Sequence, residues 1–347
     1  AQLLSDLTGK PLVENPIARR HLEDWCERRK SPLNNSNLKQ AILPEGVEII
    51  PNPTGSAVGF TMVYEDCLII CTPGVPSELR TMMEQTIVDT ICKRHPNDQQ
   101  IDTIRLQTFG LGESTLQEMV NHDYGEWPEQ VELSFRAGIP LLEVKLIIHD
   151  LSHKVIQQRC YQRLHELIGD FIIGEESTTL AESVVKLLQN RQTTITTAES
   201  CTGGLIASAI TEIAGASTVF EAGFVTYSNR MKQQLVGVSE LTLKMYGAVS
   251  EEVVIAMTKG ALERSGADYG IAVSGVAGPG GGSAEKPVGT VWMAWGHKDN
   301  LRTRRMTLTT DRKRFQQMVT AITLDLIRRE LLSLEPQPTY YQALKKG

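Results

Sequence analysis

The sequence predicts an α/β protein in three parts, and three observations lead to that prediction. From residue 174 onward, apolar strands alternate with helices, which is typical of a three-layer α/β domain that binds ligands at the carboxyl ends of its strands. Residues 103–169 instead indicate a small α+β domain. At 347 residues the chain is too long for one typical core. We therefore expect domains at 1–98, 99–173 and 174–347.

The composition excludes several classes of protein. The chain is 41% hydrophobic and 22% charged, as in an ordinary globular protein, and its net charge of −6 does not favour a nucleic-acid-binding surface. No apolar run reaches the length of a membrane span and no export signal is recognisable, so we expect a cytoplasmic protein without a membrane partner. The six cysteines lack C-x-x-C spacing, which argues against a zinc site and a disulfide framework.

Residues 1–98 are predicted to be mixed α/β. We expect a helix at 17–29, then a strand pair at 60–64 and 67–72 with its turn at Glu65-Asp66. The Pro- and Gly-rich cluster 73–78 leads into a helix that ends at residue 91.

The middle segment, 99–173, is predicted to contain a β-α-β-β-α series at 103–109, 113–120, 131–136, 141–149 and 155–169. This order fits a KH-like or ferredoxin-like domain. A G-x-x-G loop between helices is missing, which weakens an RNA-binding interpretation. We expect a spacer or a dimerisation role.

The last segment, 174–347, is predicted to begin with a helix at 180–190 capped by Ser177. The elements that follow are a strand at 193–197, a helix at 203–213, an extended segment at 218–227, helices at 232–236 and 251–265, strands at 269–274, 288–295 and 302–308, and a helix at 311–332. The tail 335–347 contains two prolines and is expected to be loosely held.

One short stretch carries the strongest chemical signal. Ser200 follows a strand directly, and Gly203-Gly204 then open a helix. This layout places a hydroxyl at a helix N-terminus, where unpaired backbone amides favour negative charge. Three interpretations remain open on these residues alone: a nucleophile with an amide-lined oxyanion pocket, a phosphate cradle, or an ordinary capped helix.

A nucleophilic serine needs a base, and histidine does not supply one here. From residue 174 onward the only histidine is His297, in a predicted hairpin tip, so a Ser-His-Asp triad is not expected. Lys232, close to Tyr227 in sequence, can replace it if its pKa falls from roughly 10.4 by about 3 units, which costs about 4 kcal/mol. Burial or a nearby cation such as Arg230 can supply that shift. An ordinary surface lysine is the alternative.

A third polar loop, 274–289, is rich in glycine, which lets the backbone approach a ligand closely. A flexible hairpin connection is the alternative for this loop.

Five motifs in the last segment, in order, resemble the C-terminal domain of the CinA family. They are TAESCTGG at 197–204, GFVTYSN at 223–229 with Lys232, GAVS at 247–250, SGVAGP at 274–279 and KPVGTV at 286–291. That domain is nicotinamide mononucleotide deamidase (PncC), described as a Ser/Lys amidohydrolase. The resemblance implies that nicotinamide mononucleotide and water give nicotinate mononucleotide and ammonia, without a cofactor or a metal, in a homodimer.

The resemblance also implies roles for individual residues. Ser200 would attack the carboxamide carbon, Lys232 would take the serine proton, and Tyr227 would orient the dyad or relay protons. The amides after Ser200 would hold the oxyanion. The implied substrate-binding set is Glu199, Cys201, Thr202, Gly203, Gly204, Asn229, Ser274, Gly275, Gly278, Pro279, Gly280, Gly281 and Arg312, with Arg312 as the candidate for the phosphate.

The segments 37–41, 52–60 and 73–78 resemble the second half of the N-terminal domain of CinA proteins. That domain is related to molybdopterin-binding proteins and is an ADP-ribose pyrophosphatase in some members. Its first half would hold a Gly-rich loop that ends in paired aspartates, which this sequence lacks, so we expect a partial domain. A divalent metal is expected only for a complete one. A metal-dependent pyrophosphatase and a nucleotide-binding, competence-related protein without turnover remain the alternatives to the amidase.

Overall fold

The structure, a computed structural model, describes residues 1–96, 100–124 and 126–334. The chain forms two compact units, Ala1–Gln99 and Gln100–Gly347. The tail 335–347, predicted to be loosely held, lies outside the described residues.

The first unit is mixed α/β, as predicted. Its elements in chain order are α1 (Gln2–Thr8), β1 (Leu12–Glu14), α2 (Pro16–Arg28), α3 (Asn35–Leu38), β2 (Ile42–Pro44), β3 (Glu48–Ile50), β4 (Gly59–Tyr64), β5 (Cys67–Cys71), α4 (Pro76–Met82) and α5 (Val88–Arg94). Strands β1 and β2 form one antiparallel pair, and β3, β4 and β5 form a three-stranded antiparallel sheet. A π-helical turn, Met83–Ile87, joins α4 to α5 within the predicted single helix.

The second unit begins with a small α+β segment. It consists of β6 (Asp102–Thr108), α6 (Glu113–Met119), β7 (Glu132–Ala137), β8 (Leu142–Ile148), α7 (Lys154–Ile168) and β9 (Ile172–Glu175). The four strands form one antiparallel sheet in the order β7-β8-β6-β9. A βαββαβ chain in this order has the ferredoxin-like arrangement rather than a KH-like one.

Strand β9 was not predicted, and it changes where the middle segment ends. The sequence placed a boundary between residues 173 and 174, but Gly174 pairs with Gln107 inside the sheet. A run of four residues is too short to give a clear strand pattern. The ferredoxin-like segment and the α/β segment that follows it belong to one compact unit.

The rest of the second unit is the predicted three-layer α/β domain. Its elements are α8 (Leu180–Arg191), β10 (Ile195–Glu199), α9 (Leu205–Thr211), β11 (Phe220–Val225), α10 (Asn229–Val236), α11 (Glu240–Tyr246), α12 (Glu251–Ser265), β12 (Tyr269–Gly275), β13 (Thr290–His297), β14 (Asn300–Thr307) and α13 (Arg312–Leu332). The sheet order is β11-β10-β12-β13-β14. Strands β11, β10 and β12 are parallel to one another, whereas β13 pairs antiparallel with both β12 and β14.

Two details of this domain differ from the prediction. The cap of α8 is Thr179, whose side chain accepts from the Glu182 amide, and not Ser177. Helix α11 was not predicted, because seven residues behind an ordinary serine cap give little helical periodicity.

Two apolar cores cover the two faces of the five-stranded sheet. One contains side chains of α8, α9 and α13, such as Val184, Ile206 and Val319, and the other contains side chains of α10 and α12, such as Val236 and Met257. Since β10 is flanked by β11 and β12 in parallel, the loops that follow these three strands meet at one edge of the sheet.

Helix α13 ties the ferredoxin-like segment to the α/β domain through a buried ionic cluster. Asp325 accepts from Arg328 Nε at 2.8 Å and from Arg329 Nε at 2.9 Å. Both guanidinium groups also donate to the backbone oxygen of Asp170, and Arg328 donates to that of Ile172 as well. All three charged side chains are almost completely buried, so their charges are compensated inside the protein.

Among the described residues, no helix combines the length and the apolar character needed to cross a membrane.

Candidate active site

Ser200 is fixed by the sheet that precedes it. Its amide donates to the Val273 oxygen of β12 at 3.0 Å, which continues the parallel ladder one residue beyond β10. The side chain is buried and lines a cavity of about 220 Å³ at the carboxyl edge of the sheet. The hydroxyl therefore stands on a rigid element rather than on a mobile loop.

Lys232 of α10 is the second fixed group of this cavity. Its side chain is 1% exposed, and Nζ lies 2.9 Å from Ser200 Oγ and 2.8 Å from the backbone oxygen of Thr226. Burial lowers the pKa of Lys232 from 10.5 to about 8, since neither a hydroxyl nor a carbonyl compensates the full charge of an ammonium. Arg230, the other suggested cause, is exposed and is not a source of the shift.

Glu199 closes the helix N-terminus that was expected to be open. Its carboxylate accepts from Thr202 Oγ1 at 2.6 Å and from the amides of Gly204, Ile206 and Ala207 at 3.0, 3.1 and 2.8 Å. The phosphate cradle considered for this turn is therefore wrong, because a buried carboxylate of the chain already occupies it. These bonds occupy the Glu199 carboxylate, the Thr202 hydroxyl and the Gly204 amide, and the predicted substrate contacts of these three residues stay predictions.

The two residues after Thr202 and before α9 shape the turn rather than the cavity. Gly203, with φ of +66°, donates its amide to the Ser200 oxygen at 3.2 Å, and it does not line the cavity. Gly204 has φ of +101° and precedes α9 directly. Both positions use backbone angles that glycine adopts without strain.

Cys201 lines the cavity beside the serine but is not a second nucleophile. Burial raises the pKa of its thiol to about 12, so the thiolate is scarcely populated at neutral pH. Its backbone oxygen accepts from Gln316 Nε2 at 2.8 Å. Sequence analysis did not identify Gln316, and its only signal is a position one helical turn after Arg312 on α13.

Arg312 and Tyr227 form the mouth of the cavity. Arg312 Nη2 donates to Tyr227 Oη at 2.9 Å, and Nη1 donates to the backbone oxygen of Gly278 at 2.9 Å. Tyr227 is 59% exposed, so its hydroxyl stands at the solvent side of the dyad. The structure thus brings both predicted residues to the cavity and fixes them to the Gly-rich loop.

The remaining wall of the cavity is partly polar and partly apolar. Three predicted residues, Asn229, Ser274 and Gly275, line it, and Ser274 Oγ donates to the Ala248 oxygen at 2.7 Å. Sequence analysis did not name as site residues three further lining residues: Ala248, Val249 and Ala277. The GAVS motif at 247–250 was the available signal for the first two.

The tip of the Gly-rich loop lies outside this cavity. Pro279, Gly280 and Gly281 are exposed and do not line it, and their predicted contacts with substrate stay predictions. The base of the loop is held instead, since Lys286 Nζ donates to the Tyr246 oxygen at 2.8 Å.

The described part of the chain contains no group of three or more His, Cys, Asp or Glu side chains placed to hold a metal ion.

Comparisons with known proteins agree with the sequence resemblance. A family model described as the CinA C-terminal domain matches residues 177–331. A "CinA-like protein" from Colwellia psychrerythraea is 49% identical over 98% of this chain and 79% of the relative, and one from Akkermansia muciniphila is 40% identical over 95% and 80%. The crystal structure of the competence/damage inducible protein CihA from Agrobacterium tumefaciens is 43% identical, covers 43% of this chain and 91% of its own, and has a TM-score of 0.42.

Proposed function

The chain belongs to the CinA family, and on that premise we propose that it hydrolyses the carboxamide of nicotinamide mononucleotide to give nicotinate mononucleotide and ammonia. The observation that supports this proposal most directly is the contact of 2.9 Å between Lys232 Nζ and Ser200 Oγ inside a cavity. A hydroxyl and a buried amine at hydrogen-bond distance are a nucleophile and its base.

The protonation state of Lys232 fits this role. With a pKa of about 8, about one molecule in ten carries the neutral amine at pH 7, compared with about one in 10³ for an ordinary lysine. The Thr226 oxygen accepts one of the amine hydrogens, which leaves the nitrogen lone pair free to face Ser200 Oγ. The amine can therefore accept the serine proton without rotating.

The reaction follows from these two groups. Ser200 Oγ attacks the carboxamide carbon while its proton passes to Lys232 Nζ, and the carbonyl oxygen becomes an oxyanion. The C–N bond then breaks, and the Lys232 ammonium gives its proton to the leaving nitrogen, so ammonia departs. In the second half, water attacks the acyl-serine, Lys232 takes the water proton, and Ser200 Oγ is reprotonated as the acid leaves.

The walls of the cavity support a nucleotide with a flat ring as the substrate. Ala248, Val249 and Ala277 give an apolar surface for a ring, and the Asn229 amide lies across the same cavity. Arg312 at the mouth carries the positive charge that a phosphate requires. Free nicotinamide has the ring but lacks the phosphate that Arg312 would bind.

The direct test is ammonia release by the purified chain from nicotinamide mononucleotide, with free nicotinamide and NAD as controls. We expect release from the mononucleotide alone. Rapid-quench mass spectrometry then separates the two forms of the mechanism, since an acyl-enzyme adds to Ser200 the mass of nicotinate mononucleotide less one water. Ammonia release without such an adduct would mean that Ser200 activates water, and the absence of release would contradict the proposed reaction.

A further inference from the structure

We propose that Gln316 is a positioning residue that directs the Thr202 amide toward the oxyanion formed at Ser200. This inference rests on the proposed serine chemistry and adds to it a residue on a distant helix. Gln316 Nε2 donates to the Cys201 oxygen at 2.8 Å across 115 positions of the chain.

The planarity of the peptide bond connects this contact to an amide donor. In a trans peptide the carbonyl oxygen and the following N–H point in opposite directions, so fixing one fixes the other. Gln316 holds the oxygen of the peptide between Cys201 and Thr202, and thereby sets the direction of the Thr202 N–H. In the same way, the bond from the Gly203 amide to the Ser200 oxygen sets the direction of the Cys201 N–H.

The Thr202 amide is a buried backbone donor next to Cys201, which lines the cavity, although Thr202 itself does not line it. Thr202 is 1% exposed, and within the described residues its amide hydrogen has no acceptor in another residue. Buried amides without a partner are rare in proteins. The Thr202 hydroxyl is already committed to Glu199 Oε2 at 2.6 Å, so the backbone N–H is the group that remains.

Gln316 is held rigidly by the helix that carries it. Phe315 and Val319 are completely buried on α13 and fix the position of the helix around Gln316. On the other side, the Cys201–Thr202 peptide is followed by Gly203 and Gly204, whose backbone angles are the freest in the turn. The side chain from α13 therefore adds a restraint on the Cys201–Thr202 peptide to those that Glu199 places on Thr202 and Gly204.

The experiment compares Gln316→Leu and Gln316→Glu with the exposed neighbour Gln317→Leu as the matched control. Leucine keeps the approximate size of the side chain but removes the donor, and glutamate places a negative oxygen against the Cys201 carbonyl. We expect kcat for ammonia release to fall roughly 10- to 100-fold in both Gln316 variants, as for other small displacements of catalytic groups. For Gln316→Leu, which adds no charge, KM and the pH midpoint should stay near the wild-type values, because the contact between Ser200 and Lys232 is unchanged. A purely structural role would change the fraction of folded enzyme or KM instead.

A second measurement keeps this test independent of the substrate. A fluorophosphonate probe reacts with activated serines through a similar oxyanion, and mass spectrometry gives the rate of phosphonylation at Ser200. We expect the Gln316 variants to be labelled roughly 10- to 100-fold more slowly than the wild type and Gln317→Leu to be labelled at the wild-type rate. Labelling of Gln316→Leu within twofold of the wild type would overturn the role of Gln316, even if nicotinamide mononucleotide proves not to be the substrate. A wild-type chain that is not labelled at Ser200 would overturn it as well.

Discussion

Two groups of buried cations in the same compact unit have opposite surroundings. Arg328 and Arg329 share the carboxylate of Asp325 and donate to backbone oxygens, so their charges are compensated. Lys232 is equally buried but faces only the Ser200 hydroxyl and the Thr226 oxygen. Burial lowers the pKa of Lys232 to about 8. A buried cation that is paired with a carboxylate keeps its proton, whereas one that contacts only neutral groups gives up its proton more readily.

The comparison also shows why an arginine pair and a lysine occupy these places. A guanidinium remains charged when buried and offers several donors, which suits a permanent link between two segments. A lysine amine loses its proton when it is desolvated, which suits proton transfer. Exchanging arginine and lysine between these places would remove both the permanent link and the group that can lose its proton.

The largest effect is expected from removing either member of the dyad. Ser200→Ala removes the attacking oxygen, and Lys232→Met keeps an unbranched side chain without the amine. We expect each to lower ammonia release by at least about 10³-fold with little change in the far-UV circular dichroism spectrum. Because the two groups act as a unit, the double variant should be no slower than either single one. Wild-type rates in either variant would end the assignment of the dyad.

A large loss of stability without a loss of activity is expected from a substitution in the ionic cluster of Asp325, Arg328 and Arg329. Asp325→Asn leaves two buried guanidinium groups without a counter-charge, which should cost about 3–5 kcal/mol in the free energy of unfolding. Denaturant titration measures this loss, and kcat per folded molecule should be unchanged. The control is Asp311→Asn on the same helix, where asparagine is an equally good cap and the change should be within about 0.5 kcal/mol.

A smaller loss is expected when the charge that caps α9 is removed. In Glu199→Gln, one carboxylate oxygen becomes an NH₂ group that faces N–H donors instead of accepting from them. We expect the free energy of unfolding to fall by about 1–3 kcal/mol, measured by denaturant titration. Glu212→Gln, exposed at the end of the same helix, is the control and should change stability by less than about 0.5 kcal/mol. Equal effects at the two positions would contradict the capping role.

The smallest effect expected is the dependence of the rate on pH. The base must be neutral, so kcat/KM should rise about tenfold from pH 7 to a plateau near pH 9, with a midpoint of about 8. The free energy of unfolding should also depend on pH. Because the folded chain releases the Lys232 proton before the unfolded chain does, stability should rise between pH about 8 and pH about 10.5. A rate that falls across pH 7–9 would mean that the protonated form of Lys232, and not the neutral amine, is the active one.

The sequence predicted those parts of the site that depend on local order. Ser200 at the end of a strand is a local feature, and the motif around Lys232 placed that lysine near it. The structure agrees in distance, with the two side chains 2.9 Å apart. The three-layer architecture is likewise confirmed, because alternating strands and helices have few ways to pack.

The parts that sequence reasoning missed depend on contacts that are distant in the chain. Gln316 looks like any polar residue on a helix, and only the packing of α13 brings it to the Cys201 oxygen. The family resemblance implied a substrate contact for Glu199, and nothing in the sequence indicated that its carboxylate would accept from backbone amides of α9. Strand β9 was missed because four residues acquire strand geometry only from their partners in β6.

The arginines at the end of α13 have a consequence for how the second unit comes apart. A segment can unfold by itself only if few bonds join it to the rest of the protein. Unfolding of the ferredoxin-like segment alone would remove the Asp170 and Ile172 oxygens and leave the buried guanidinium groups of α13 without these acceptors. Backbone amides of the four-stranded sheet and of the five-stranded sheet should therefore exchange their hydrogens with solvent through a common, global opening. In this protein the small segment is an integral part of the second unit rather than a hinge beside it.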